Sequence, residues 1–397
     1  GHDLAVKDSF VYLGVRMGGE RITKADRLAA KRMVNKGRAA LIAMMGTCQS
    51  NGLYNPFLQR HLYHTLVDPV LCYGSEIWGP SYVGSLWARG ASKGEQEDVL
   101  KLFMRMCFWT PKSTPIAPSM LELSFVPVLI QFLKRIISFW NRLVRAGPSS
   151  LQAATFQDSI ALYDNGCKSW VHGFATMLLG FGYTQSEVHD MVHNDQMLSI
   201  EDIYNKAVHA WAVHTADTHS LEIDVTDRVM DNIPAVREVP DDVHHGFKHI
   251  KYERWFRKPK ELEGDIKYKD ACCINALFSV AHVRAVFNFR LGMSGLNCES
   301  MRDTHPARST RLCTKCRSHD IEDEVHVLMC PAYTDLRGQY QEVFGTPEYI
   351  NLETSFNSGR HGLELDKAMA QFMNVQNVPF WRCFAEYLIC VKSRRAN

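Results

Sequence analysis

Apolar positions recur mostly every three to four residues along this chain, the spacing of one helical face, so the pattern predicts a mainly α protein. The N-terminal end is the exception. Phe10-Val11-Tyr12-Leu13-Gly14-Val15 joins β-branched and aromatic residues and stops at Gly18-Gly19, which predicts one short buried strand and a turn, with no obvious partner strand nearby. From Thr23 to about Met45 the pattern is helical, with Thr23 as a cap candidate and Leu28, Met33, Ala39 and Ile42 as apolar positions. Lys31, Arg32, Lys36 and Arg38 make one face of this helix basic. A second helix is expected after Asn55-Pro56, where Leu58, Leu62, Leu66 and Val70 repeat every four residues until Pro69 and Gly74 bend or end it.

Gly94 to Phe108 reads as a further amphipathic helix, after which Pro111, Pro115 and Pro118 break the chain. A strong helix follows, with a stripe of Leu129, Phe132, Leu133, Ile136, Ile137 and Trp140, ending before Gly147-Pro148. Shorter helical patterns occupy Trp170 to Leu179, Ser186 to Met197 and Ile200 to Val213, ahead of a polar, proline-containing linker candidate near 234–242. Asp270 to Leu291 is again helix-like and ends at Gly292 and Gly295. There is no internal repeat and no low-complexity tract.

A length of 397 residues allows two or three domains and a sizeable core. A net charge of +2 points to no partner, so any argument for nucleic acid rests on local clusters. The 12 cysteines are mostly scattered among apolar neighbours, which is the usage of thiols and not of a disulfide framework. No run approaches the ~18 apolar residues of a membrane span, and no basic-then-apolar leader opens the chain, so the expectation is a nuclear or cytosolic protein that is not secreted and has no membrane partner. The chain starts at Gly1-His2-Asp3 without an initiator Met and is within ten residues in strand-like sequence, so the expectation is a piece of a longer polypeptide.

Chemistry concentrates between residues 313 and 330. Cys313-Thr-Lys-Cys316 is a CxxC pair, followed after nine residues by His326 and, three residues further, by Cys330. Three thiols and an imidazole suit tetrahedral zinc, and four protein ligands close the site, so the metal would be structural. Glu322-Asp323-Glu324 supplies acids suited to a helix N-terminus, which puts His326 and Cys330 on one face, and Pro331 fits the start of a helix through Tyr333, Leu336 and Tyr340. Two alternatives remain at this point: four residues near one another without a metal, or His319 as the competing ligand.

This cluster, read through Glu324-Val-His326 and Cys330-Pro331, closely resembles the C-terminal zinc knuckle of non-LTR retrotransposon (LINE-type) reverse transcriptases. Phe10 to Val15 looks like the strand that leaves the polymerase palm in that family, and Leu66-Val-Asp-Pro-Val-Leu-Cys-Tyr-Gly-Ser-Glu-Ile-Trp78 looks like its thumb-region motif. Arg290-Leu291 with Gly295-Leu296, and Trp381 in the last helix, are in keeping with it; residues 150–270 match only in being helical. The resemblance implies the end of a palm and a thumb-like helical bundle over 1–148, a helical connector over 149–270, a helix with the CCHC zinc module over 271–345, and a C-terminal helical segment over 346–397. It also implies RNA and DNA, as template-primer, and the palm and fingers of the same polypeptide as partners. The aromatic-x-Asp-Asp sequence that holds the catalytic Mg²⁺ ions is absent, so this chain is not expected to polymerise alone, and Mg²⁺ enters only with a palm domain upstream.

Three clusters are candidate nucleic-acid contacts. Lys31, Arg32, Lys36 and Arg38 would face the duplex from the thumb; Lys248, Lys251, Arg254, Trp255, Arg257 and Lys258, interleaved with Tyr252 and Phe256, combine cations for phosphate with rings for bases; Arg308, Arg311, Lys315 and Arg317 surround the first CxxC. For each, a solvated charged face is the competing explanation. Two other functions compete as well: a PD-(D/E)xK-like metal-dependent nuclease built on Asp241, Asp265 and Lys267, and a repurposed structural or protein-interaction module in which the metal only pins helices.

Overall fold

A computed structural model describes residues 9–12, 15–18, 22–87, 94–110, 114, 119–120, 122–123, 125–194, 196–210, 279–300, 304, 310–316, 318–358, 363–375 and 377–396. Its mainly helical architecture agrees with the periodicity. Two units are formed, residues 1–103 with 126–213 and residues 104–125 with 214–397.

In the first unit, β1 (Ser9–Tyr12) and β2 (Val15–Gly18) pair antiparallel, Tyr12 opposite Val15 and Ser9 opposite Gly18. The strand expected over 10–15 is therefore two, and each is the other's partner. Helix α1 (Ile22–Ser50) buries Ala30, Met33, Val34, Leu41, Met44, Met45 and Cys48, while Ala39 and Ile42 of the expected stripe are exposed. Next come α2 (Pro56–Leu62), a π-helical turn at Tyr63–Val67 and α3 (Asp68–Leu71).

Here the buried line is Gln59, Tyr63, Val67 and Leu71, one residue beyond the expected one, and Leu58 and Leu66 face outward. Both lines repeat every four residues, and neighbours choose between them. Gly37 has no Cβ, and one placed there would collide with Leu71 Cδ2, so the glycine lets Leu71 reach α1. Tyr63 packs its ring 4.6 Å from Phe103. Pro69 has no N–H to donate, and the turn ahead of it widens so that the Asp68 N–H reaches the Tyr63 carbonyl.

Gly74 (φ 70°) turns the chain into α4 (Ser75–Trp87), and the Trp78 indole N–H donates back to the Tyr73 carbonyl at 3.1 Å. Pro80 lies inside α4 and leaves the Glu76 carbonyl without its helical donor; the Trp170 indole supplies one at 2.9 Å. Trp170 opens α9 (Trp170–Gly180), reached through α5 (Glu95–Phe108), α6 (Val128–Gln131), α7 (Leu133–Val144) and α8 (Leu151–Asp164). Helices α4 and α9 touch along glycines: a Cβ on Gly173 would lie 2.8 Å from the Ser81 nitrogen, and one on Gly84 3.3 Å from the Met177 nitrogen.

The stripe of Leu129, Phe132, Leu133, Ile136, Ile137 and Trp140 is fully buried, as its spacing predicts. Trp140 stacks on Phe174 at 4.4 Å and meets Phe156 edge-on at 5.2 Å, so α8 and α9 share the core of the helices before residue 148. Helix α8 has a weak apolar pattern, and within the helical connector expected over 149–270 no individual helix was placed here; Ser150, accepting the Ala153 N–H after Gly147-Pro148, marks its start. The unit closes with α10 (Gln185–His193), begun by a Thr184–Glu187 capping box, and α11 (residues 200–210).

The second unit contains the last turn of α5, α12 (Val280–Arg290), α13 (Asn297–Ser300), α14 (Glu324–Met329), α15 (Thr334–Gln339), α16 (Gln341–Phe344), α17 (Pro347–Asn357), α18 (Leu363–Met373) and α19 (Val378–Ala396). Gly292 (φ 65°) ends α12 as expected. Arg290, 6% exposed, pairs with the buried Glu122 through Nε at 2.8 Å and Nη2 at 2.7 Å, and its guanidinium lies 6.0 Å from the Trp381 ring. Phe289, Phe372, Phe380 and Phe384 cluster edge to face around α19. The expected linker near 234–242 lies outside the described residues. Among the described residues no helix is long and apolar enough to cross a membrane.

Glu97 on α5 is buried and accepts the backbone N–H groups of Val128 and Leu129 at the start of α6. Burial pushes its carboxyl up to about 8 from 4.5, against those bonds and Lys101, with Asp68 adding to the rise. Between pH 4.5 and about 8 the folded chain therefore holds a proton that the unfolded chain releases, and stability falls as pH rises through that window. Glu97→Gln is expected to flatten this dependence, so that thermal melts of wild type and variant diverge between pH 6 and pH 8.5; parallel curves would show that Glu97 does not titrate there.

Candidate metal centre

The Cys/His module is assembled by a minimal pair of antiparallel segments and one short helix. Leu312 and Ile321 form an isolated bridge, flanked by Cys313 N–H to the Asp320 carbonyl at 2.9 Å and Glu322 N–H to the Arg311 carbonyl at 3.2 Å. This closes the loop that carries the CxxC. Asp323 then caps α14 by accepting the His326 N–H at 3.0 Å, which fixes the turn from which the imidazole projects. Cys330 is the C-terminal cap residue of the same helix, one turn past His326, and Pro331–Tyr333 continues as a 3₁₀ turn into α15.

The Sγ atoms of Cys313, Cys316 and Cys330 and a ring nitrogen of His326 all lie within 4.8 Å of one another. Cys313 Sγ is 3.9 Å from Cys330 Sγ, and Cys316 Sγ is 3.4 Å from His326 Nε2. Tetrahedral coordination by zinc sets such pairs about 3.8 Å and about 3.6 Å apart. The cluster thus fits a metal ion such as zinc with four protein ligands and no position left for water. His319, the competing ligand, is exposed in a left-handed conformation (φ 58°) and stands outside the cluster.

Local electrostatics divide the ligands: two thiols are pushed toward the protonated form that metal binding must overcome, and Cys316 and His326 toward the form that binds. Burial pushes the Cys313 and Cys330 thiols up. Burial acts on Cys316 in the same sense, but the Ser318 hydroxyl, 3.0 Å from its sulfur, and the Ser318 backbone hold it below the ordinary thiol value. Burial lowers His326, keeping the imidazole in the neutral form that binds metals. Nδ1 of His326 has no hydrogen-bond partner, and the Asp320 carboxylate stands 3.6 Å from it, where a small shift makes the outer carboxylate contact common to metal-bound histidines.

The module is held by residues that no motif marks. Glu322, 1% exposed, accepts Nε and Nη2 of Arg395 at 2.9 and 2.8 Å and the Asn297 N–H at 2.9 Å. Arg395 also donates to the Gly295 carbonyl at 2.8 Å, which ties α19 to the loop following α12. At the other end of α14 the Val327, Leu328 and Cys330 carbonyls receive Tyr387 Oη at 2.7 Å, Tyr349 Oη at 3.1 Å and Arg337 Nη1 at 2.8 Å. Glu322 was legible only as one of three acids before a helix, and its role depends on an arginine 73 positions away.

The basic candidates divide. Lys31, Lys36 and Arg38 are exposed and Arg32 half-buried, all on the half of α1 opposite its buried stripe; Lys315, inside the CxxC, is exposed. Arg311 corrects the expectation: it is 1% exposed and donates to the Cys298 carbonyl at 2.8 Å, so it belongs to the interior of the module and not to a phosphate-binding surface. Lys248, Lys251, Arg254, Trp255, Arg257, Lys258, Arg308 and Arg317, with the nuclease candidates Asp241, Asp265 and Lys267, lie outside the described residues.

Two outcomes are expected. Titration with Co²⁺ gives a thiolate charge-transfer band with one equivalent per chain, which His326→Ala weakens strongly and His319→Ala leaves unchanged; equal loss in both variants would reject the ligand assignment. Arg395→Ala, which leaves a buried carboxylate unpaired, lowers stability in urea by about 3 kcal/mol, and a change below ~0.5 kcal/mol would show that the pair does not hold the module.

Comparison with known proteins returns no match: no protein-family model, curated protein or solved structure is similar to this chain at a significant level.

Proposed function

We propose that this chain is the nucleic-acid-binding C-terminal part of a LINE-type reverse transcriptase, a thumb-like bundle, connector and zinc knuckle that depends on a palm domain for catalysis. The observation that carries this reading is the CxxC, nine residues, HxxxC order with its four ligand atoms within 4.8 Å. Three features singled out by the resemblance support it, because each has a local structural job. Gly74 and Trp78 make the turn into α4; Arg290 and Trp381 meet in the second unit beside Glu122; the Gly295 carbonyl takes Arg395. In this reading the metal is zinc, structural, and Mg²⁺ belongs to the palm.

The substrate class is RNA, with a DNA primer strand in the assembled enzyme, and the place of action is the nucleus or cytosol. Lys31, Lys36, Arg38 and Lys315 are the exposed cations among the described candidates. Cations on one helix face attract phosphate by releasing counterions, so affinity falls steeply with salt. The chain has no aromatic-x-Asp-Asp and adds no nucleotide by itself.

Native mass spectrometry is expected to find one zinc per reduced chain and none in Cys316→Ser. Single-stranded RNA binding measured between 50 and 200 mM salt is expected to weaken with salt, and Lys31→Gln, Lys36→Gln and Arg38→Gln together are expected to reduce affinity about tenfold and lower the salt slope by about 2. Zinc without RNA affinity would favour the repurposed structural module, and an absence of zinc would remove the basis of the family reading.

A further inference from the structure

Trp109 directly follows the last residue of α5 and is 69% exposed, the second most exposed large apolar side chain among the described residues. Its backbone lies at φ 55°, in the left-handed region that is costly to any residue with a Cβ. Arg284 of α12 sets its guanidinium 3.9 Å from the indole centroid, and the same group's Nε donates to the Cys107 carbonyl at 3.2 Å, two residues before the tryptophan. One residue back, Phe108 is buried and stacks on Phe287 with ring centroids 3.5 Å apart and planes within 5°. The chain is therefore fastened at consecutive residues, inward by the phenylalanine pair and outward by the arginine. Burial does not explain this arrangement, since the fastened indole remains in solvent. Strain retained for an exposed ring is the kind of feature that marks a binding surface.

We propose that Trp109 is a stacking platform for an unpaired nucleobase, with Arg284 backing the ring. This rests on the nucleic-acid-binding reading and names a contact within it. An indole offers a flat π face to any base, and Arg284 sets a cation against this ring. Bases joined by phosphates match both properties. An apolar protein side chain would match only the first.

The test uses the full chain and two probes in fluorescence anisotropy at one fixed salt concentration: a single-stranded RNA dodecamer and an abasic oligonucleotide of equal length and charge. Wild type is expected to prefer the RNA. Trp109→Ala and Trp109→Gly are expected to weaken RNA binding about tenfold or more while leaving the abasic probe unchanged, and Trp109→Phe to retain most of the affinity. Trp109→Gly also separates stacking from folding, because glycine adopts φ 55° freely and its melting temperature should not fall. If wild type and Trp109→Ala bind RNA equally, the platform is rejected and the nucleic-acid reading stands. If wild type binds neither probe, both are rejected. Equal weakening for both probes, or an effect on self-association alone, likewise overturns the stacking role.

Discussion

A helix of six residues leaves most of its backbone groups without internal partners, and everything about the metal centre depends on holding such a helix still. Helix α14 presents His326 and ends at Cys330, so half of the ligand set rides on it. Its N-terminal end is closed by Asp323, and its last carbonyls by two tyrosines and an arginine from α15, α17 and α19. In effect the helix is solvated by side chains. These bonds, with the Glu322–Arg395 pair beside them, set the ligand atoms near tetrahedral spacing, so a metal entering the cluster adds to an arrangement the protein already favours.

The same principle recurs in the first unit, where a break in regular hydrogen bonding is answered by a specific side chain. Pro80 opens a gap in α4, and Trp170 fills it from α9 while joining the aromatic stack of Trp140 and Phe174. Glu97 closes the start of α6, at the expense of keeping a carboxyl in a site that favours its neutral form. Asn141 both donates to the Leu198 carbonyl and accepts the Leu198 N–H, fastening the segment ahead of α11. Each tie spans a long sequence separation, which is why residues 149–210 share one unit with the helices before them.

The metal ligands were legible because coordination chemistry constrains residue type and local spacing together: a CxxC loop and a one-turn His-to-Cys offset are both short-range patterns. The buried stripe of α6 and α7 was legible for a similar reason, since a large apolar ring or branched chain at every position of one face leaves a single orientation. Choosing His326 over His319 required the fold, because both lie within reach in sequence and only backbone conformation turns one inward. Arg311 shows the converse error. Its charge suggested a surface, but a carbonyl at the right place in the interior accepts it.

By itself the sequence determined the helical class, the position of most helices, the Cys/His cluster with its three cysteines and the basic face of α1, since all of these follow from periodicity or from chemistry within a few residues. Tertiary structure alone decided which of two four-residue lines in 58–71 turns inward, that β1 finds its partner in β2, that Glu322 meets Arg395, and that Trp109 is fixed in solvent. Those outcomes rest on contacts between elements and on whether a glycine lets two backbones approach, and such information is not carried by any local window of the chain.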